Sequence, residues 1–340
     1  MKNQSFCSYK NVWKVVLGLA VLWYVVLVSA FAQQTPDSQQ LFDAVHKASD
    51  LSQLGPYVLT ARVVVNPGDN KREQVGTLTI SRDHDLFRDE LKINGKDEVQ
   101  IRRNRASYIV PSQTLLAASG LIDFDRSWDP LYLKRMENDA KYKLSKAHAK
   151  NIGEHHTWCF DKKTAYIKFT STEKLCFDTP RPVLLRRSFG KSWKEFTDYT
   201  QSGAQQYPQK VTIARERMVP IEVTDIHVAP ATLSAELFKP PESAIEVESC
   251  PNVLPPQPKR TPEPSFPARA SAESRHGTVV LVVIVAKDGT VAMARSITPD
   301  DYGFSESAEW TVLTWHFKPA TCDGRAIAME MNVEVNFNRF

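Results

Sequence analysis

The sequence predicts an α+β protein in two parts: a strongly curved antiparallel half-barrel sheet wrapped on one or two helices, then a small β-β-α-β unit. Three observations lead there. A single amphipathic helical stripe near the start gives way to some ten short segments of strand composition, separated by turn residues. A proline-rich stretch, holding eight of the 21 prolines between Lys239 and Pro264, then divides the chain. Beyond it the residues read strand, Asp-Gly turn, strand, helix, strand. At 340 residues the chain is long enough for two packed cores.

Residues 1–32 read as a targeting segment. Lys2, Lys10 and Lys14 precede an apolar run, Val15–Val28, and Ala30 and Ala32 frame a small-x-small cleavage site with Gln33 as the new N-terminus. The run is also long enough to span a bilayer as an uncleaved anchor. Either way the remainder is exported, which implies a periplasmic location. The formal net charge is +4, and removing the three lysines of this segment leaves +1. A near-neutral chain gives no reason to invoke nucleic acid. Arg102-Arg103-x-Arg105 and Arg186-Arg187 are expected to be solvated strand faces.

Residues 36–247 read as one domain. Leu41, Phe42, Val45, Ala48 and Leu54 form the opening helical stripe, ended by Gly55-Pro56. Strands follow at Tyr57–Val65, Val75–Ser81, Asp85–Ile93, Glu98–Arg103 and Tyr108–Val110, with Asn94-Gly95 as a hairpin turn. Leu115–Ile122 is expected to be helical, and the polar stretch to Lys150 a further helix or long loop. Strands resume at His156–Phe160, Lys174–Phe177, Val183–Phe189, Trp193–Tyr199, Gln209–Arg215 and Ile221–Val228. Leu233–Phe238 closes the domain with a helical turn. Trp193, Phe196 and Tyr199 are expected in core and rim packing.

Residues 248–264 form the proline-rich linker. With its flanks from Lys239 it is expected to be a semi-rigid spacer reaching at most about 75–80 Å, at ~3.1 Å per residue. Residues 265–340 make the last unit. Thr278–Val285 is apolar without alternation, the composition of a strand buried on both faces. Asp288-Gly289 turns the chain into Thr290–Ile297. Ser305 is the expected N-cap of a helix with Ala308, Val312 and Trp315 on one face, stopped by Pro319. From Ile327 the pattern has period two. Ile327, Met329, Met331, Val333, Val335 and Phe337 are apolar, and Glu330, Asn332, Glu334, Asn336 and Asn338 are polar.

Cys7 leaves with the targeting segment if that is removed, and four cysteines remain in an exported chain. Cys159 and Cys176 lie in two short apolar runs that are expected to be neighbouring strands, so they are paired. That loop closure contributes roughly 3 kcal/mol. Cys250 and Cys322 are left to clip the linker to the last unit. His155, His156 and Cys159 suggest a metal site, but adjacent histidines point to opposite faces of a strand and no second ligand pair has the usual spacing. Asp123 and Asp125 lie in a polar connection and are expected to be solvated. Gly-x-Ser-x-Gly, phosphate loops and paired metal ligands are absent, so neither an enzyme nor a cofactor is expected.

The last unit resembles the C-terminal domain of the TonB family. Phe266-Pro267-x-x-Ala270, Gly277-Thr278-Val279, Asp288-Gly289-x-Val291, Ala308, Trp315-x-Phe317-x-Pro319-Ala320, Gly324 and Val333-x-Val335-x-Phe337 carry the match in order. The resemblance implies docking of an envelope protein or peptide by strand addition, with Ile327, Met329, Met331, Val333, Val335 and Phe337 marking the docking strand. Residues 36–247 resemble the LolA/LolB-like lipoprotein-carrier half-barrels, through the opening helix, Tyr57-x-Leu59-x-Ala61, Gly76-Thr77-Leu78 and Leu233…Leu237-Phe238-x-Pro240. That resemblance implies an apolar cavity for a lipid or lipoprotein ligand.

Together these readings describe an exported binding or adaptor protein. One alternative is a membrane-anchored, TonB-like energy transducer, against which stands the absence of any His or ionisable residue from Val15 to Ala32. The other is a ligand-free structural interaction protein.

Overall fold

The computed structural model describes residues 35–338 apart from 71–72, 94, 104–105, 111–120, 122–123, 132–140, 166–169, 179–180, 215–219, 249, 251 and 297–301. The targeting segment, with Val15–Val28, Ala30 and Ala32, lies outside the described residues, and so does most of the helix expected at Leu115–Ile122. Among the described residues no helix is long and apolar enough to cross a membrane.

Helix α1 (Ser38–Ser49) is capped by the Asp37 carboxylate, which accepts from the Gln40 N–H at 2.9 Å. The expected stripe is split at Asp50, whose side chain caps a separate 3-10 turn, Leu51–Leu54. Strands then run β1 (Tyr57–Val65), β2 (Gln74–Asp83), β3 (Leu86–Ile93), β4 (Lys96–Arg103), β5 (Ala106–Val110), β6 (Lys141–Leu144), β7 (His148–Ile152), β8 (His155–Ala165), β9 (Thr170–Asp178), β10 (Val183–Phe189), β11 (Ser192–Ser202), β12 (Gln205–Ala214), β13 (Ile221–Pro230) and β14 (Ile245–Glu248). They form one antiparallel sheet of order β14-β5-β4-β3-β2-β1-β13-β12-β11-β10-β9-β8-β6, with β7 also on β8. Its two ends do not pair, so the sheet is open. A single apolar cluster runs from Leu59 and Val63 through Ile80 and Leu91 to Phe160, Phe177, Phe196 and Val211, with Phe42 and Val45 of α1 in it. One continuous core across that many strands requires the sheet to curl around the helix.

Gly76 lets β2 and β3 come together: a Cβ there would meet the Lys92 carbonyl oxygen at 2.1 Å. The polar stretch before Lys150 is partly strand rather than helix or loop. In β6 the exposed lysines 141 and 143 alternate with Tyr142 and Leu144, which pack on the core, as an edge strand requires.

The expected spacer is a paired structure. β14 pairs with β5, β15 (Val253–Leu254) with β20 (Ala320–Cys322), and β16 (Gln257–Arg260) with β19 (His316–Lys318). Short edge pairings between prolines need few donors, so this stretch supports them although it cannot join a central strand.

After the short helix α2 (Ala268–Ala272), the last sheet has order β18-β17-β22, from β17 (Gly277–Val285), β18 (Val291–Ser296) and β22 (Met329–Phe337). Helix α3 (Phe304–Val312) covers one face through Phe304, Ala308 and Val312. Its N-cap is Gly303 at φ +85°, not Ser305, whose hydroxyl lies 2.9 Å from that of Ser296. The helix also ends well before Pro319, because Trp315–Lys318 leaves it for β19; the Trp315 indole N–H donates to the Pro262 carbonyl at 3.0 Å. The alternating stretch from Ile327 is two strands: β21 (Arg325–Ile327) pairs with β20, and the chain changes sheets at Ala328. Ile327 therefore belongs to the small sheet, not to the edge expected for docking.

Candidate functional site

β22 pairs with β17 along its whole length, from Val285↔Met329 to Gly277↔Phe337. It is the terminal strand of its sheet. Its other edge carries one isolated parallel bridge, Val247↔Ala328, from β14. Beyond Ala328, among the described residues, no strand pairs with that edge. Val333, Val335 and Phe337 are anchored in the core, with Met331 packed partly against it. Asn332, Glu334 and Asn336 are exposed. The backbone donors and acceptors of a well-held strand thus face outward in a row.

What holds the strand is covered on both sides. One face of β17, namely Val279, Leu281, Val283 and Val285, packs on α3. The other, Val280, Val282 and Ile284, packs with Met293 against Ile109 of β5 and Ile245 and Val247 of β14. This is why Thr278–Val285 lacks alternation. Polar contacts lock the same junction. Arg325 donates two hydrogen bonds to Glu248, at 2.7 and 2.5 Å, and these hold the Glu248 carboxyl below its usual range. Lys287 lies 3.5 Å from Glu246. A disulfide joins Cys250 to Cys322. Glu98 of β4 is half-buried here, and desolvation, with the Glu330 charge adding and Arg295 opposing, pushes its pKa up to about 7.

The interior of the large sheet holds residues that the sequence did not single out. The segment from Phe124 to Leu131 lies in it, with Phe124 and Trp128 fully buried and edge-to-face at 5.7 Å. Asp125 is fully buried, not solvated: Arg82 grips it with two hydrogen bonds of 2.7 and 2.6 Å, and the Tyr57 hydroxyl donates to it at 2.7 Å. Burial, reinforced by the Asp125 charge, raises the Tyr57 pKa well above its ordinary value. Arg82 also pairs with Asp89. Arg82, Arg102 and Arg126 surround the Phe87 ring at 5.0, 4.7 and 4.7 Å. At the other end Arg187 donates to the carbonyls of Ser127, Asp129 and Pro130, and buried Lys162 to that of Pro130 at 3.3 Å. Asp129 meets His46 at 2.8 Å. Arg102 and Arg187 are therefore internal fastenings, not solvated faces. One signal was present in Phe124-Asp125-x-x-Trp128-Asp129, where an aromatic–acid pair repeats at i, i+4.

Cys159 and Cys176 are opposed on β8 and β9 and joined in a disulfide, so the Cys159 sulfur is not free for a metal; His155 and His156 are exposed. Phe196 is in the core and the Tyr199 hydroxyl donates to the Leu184 carbonyl at 2.6 Å, whereas Trp193 is partly exposed. Asp123 lies outside the described residues.

The family model of the Gram-negative bacterial TonB protein C-terminal matches residues 262–338. Among solved structures, a LolA superfamily protein from Nitrosomonas europaea is similar at 7% identity and a TM-score of 0.41, over 60% of this chain and 98% of that one. A DUF1329 family protein from Desulfovibrio piger is similar at 12% identity and a TM-score of 0.42, over 59% of this chain and 96% of that one. No curated protein matches the chain.

Proposed function

We propose that this chain is an exported, periplasmic binding protein of the cell envelope, which docks an extended segment of an envelope protein by strand addition to β22. The reading is of binding rather than catalysis. The observation that carries it is the one-sided pairing of β22, which is held by a strand, β17, covered on both faces, and which leaves its own outer edge open for recognition. The TonB C-terminal match over the same residues supports it. β14 bounds the site at Ala328, so the docking residues are Met329, Met331, Val333, Val335 and Phe337, without Ile327.

Adjacent residues on an edge strand point their N–H groups alternately inward and outward. Of proline variants at Asn332 and Val333, one therefore removes a donor to β17 and the other only an outward donor. A photo-crosslinker at exposed Asn336 would report the partner. The outward-donor variant is expected to keep its cooperative unfolding and lose the adduct. A folded variant that retained the adduct would exclude strand addition.

A second reading is a carrier whose large sheet holds an apolar or lipid-bearing ligand. The burial of Phe124 and Trp128 favours the ligand-free alternative, in which the sheet is a scaffold filled by its own chain. Lipid extraction and mass analysis of purified protein separates the two, since a scaffold yields no stoichiometric lipid. The anchored-transducer reading turns on the fate of residues 1–32: intact mass from soluble and membrane fractions decides it, a soluble species beginning at Gln33 ruling it out.

A further inference from the structure

The large sheet carries an exposed aromatic at one hairpin tip. Phe189 ends β10, pairs with Ser192 of β11 across the two-residue turn Gly190-Lys191, and is 58% exposed. Gly190 at φ +57° makes the turn tight. The hairpin from Arg186 to Glu195 holds four cations against one carboxylate. Arg187 is turned inward to the carbonyls of 127–130, and Lys194, opposite it, shares that face, which leaves Arg186, 3.6 Å from Glu195, and Lys191 with the tip. Arg186 stacks on the partly exposed Trp193 at 4.4 Å; Trp193 is opposite Ser188, so a second aromatic lies one position back from the tip, on the other face from Phe189.

The strand register shows that this tip belongs to a rim. Trp193 is opposite Ala214, Ile213 opposite Ile221, and Ile221 opposite Val65, whose neighbour Val64 is opposite Val75. Val75 is itself 40% exposed. Among the described residues, the two large exposed apolar side chains of the big sheet thus lie at the same end of it.

We propose that the β10–β11 tip is a membrane-contact site, where Phe189 enters the interfacial layer of a bilayer and Arg186 and Lys191 meet anionic headgroups. An exposed phenylalanine ring gains by burying its apolar area in the headgroup–acyl boundary of a bilayer. Cations beside them add attraction to an anionic surface. The hairpin is already ordered by its pairing, so insertion does not have to fix a floppy loop. Charge complementarity selects an anionic lipid surface as the occupant. The proposal is independent of the docking edge.

The test is amide hydrogen exchange of the full chain with and without vesicles, read in peptides covering Phe189–Lys194. A local readout is needed because the apolar N-terminal segment would bring every variant to a bilayer. Phosphatidylglycerol vesicles are expected to slow exchange at the tip at least threefold, and phosphatidylcholine vesicles much less. Phe189→Ser and Lys191→Glu, both at exposed positions, are each expected to abolish the slowing without moving the unfolding temperature. Unchanged exchange at the tip with anionic vesicles would overturn the proposal, as would protection of Phe189→Ser equal to that of the wild type. Equal protection by soluble polyglutamate would assign the tip to an acidic protein instead.

Discussion

His46 shows how one side chain of α1 is tied to the segment that fills the sheet. Its hydrogen bond to Asp129 raises its pKa above the ordinary 6.5, against the opposing effect of burial. The folded state therefore holds the proton more tightly than the unfolded chain. The resulting stabilisation is complete below pH 6.5 and is lost as pH rises through the raised value. Denaturant unfolding between pH 5.5 and 8.5 is expected to show this loss, and His46→Gln or Asp129→Asn to flatten it. If His46→Gln kept the wild-type slope in that window, the pair would not be coupled to folding. Nothing in the sequence announces the pair, since the partners are 83 positions apart.

The segment Phe124–Leu131 behaves as an element although little of it is regular. Its aromatic side chains supply apolar burial, and its two carboxylates and terminal carbonyls are each met by a cation. Asp125→Asn would leave Arg82 with Asp89 as its remaining carboxylate in a fully buried site, and is expected to destabilise by about 3 kcal/mol. A double-mutant cycle with Arg82→Met checks this: a coupling near zero would show that the pair does not hold the segment. The elements that period and turn chemistry specify were legible. β1, β10, the Asp288-Gly289 hairpin and the alternation of Met329–Phe337 could all be read from local pattern. Gly289 itself cannot be replaced, since a Cβ there would lie 2.0 Å from the Phe317 carbonyl oxygen. The end of α3, the break at Ala328 and the strands of the proline-rich stretch were not legible. Each depends on a partner strand distant in sequence, and short strands have little periodicity of their own.

At the scale of the whole molecule, the junction between the two sheets decides how the docking edge is presented. Burial near Glu330 keeps the Glu98 carboxyl protonated up to about pH 7 in the fold but only to about 4.5 when unfolded. A raised carboxyl pKa means that stability is lost as pH rises through that window. Glu98→Gln removes the half-buried charge and is expected to be more stable than the wild type at pH 8, by up to about 3 kcal/mol, with the difference vanishing near pH 4.5. Equal stability of the two proteins at pH 8 would place Glu98 in solvent. Cys250–Cys322 closes a loop of 72 positions across the same junction, and Cys250→Ser with Cys322→Ser is expected to cost about 4 kcal/mol. The same change should increase apolar-dye binding, because Val282, Ile284 and Met293 lose the clip that holds their cover. A variant with unchanged dye binding and unfolding midpoint would show that β14 and its ion pairs suffice.

Local physical chemistry determined the class of each half, the strands with clean periods, the turns that need glycine, and the neighbouring pair Cys159–Cys176, because these follow from interactions within a few residues or between adjacent strands. The run Thr278–Val285 even declared that it needs cover on two faces. What it could not declare was the cover, nor that the proline-rich stretch would provide part of it as β14. The burial of Asp125, the inward turn of Arg187 and the single bridge at Ala328 were likewise decided only in three dimensions. Charge pairing and edge occupancy are contacts between distant residues, and a one-dimensional pattern does not record who stands opposite.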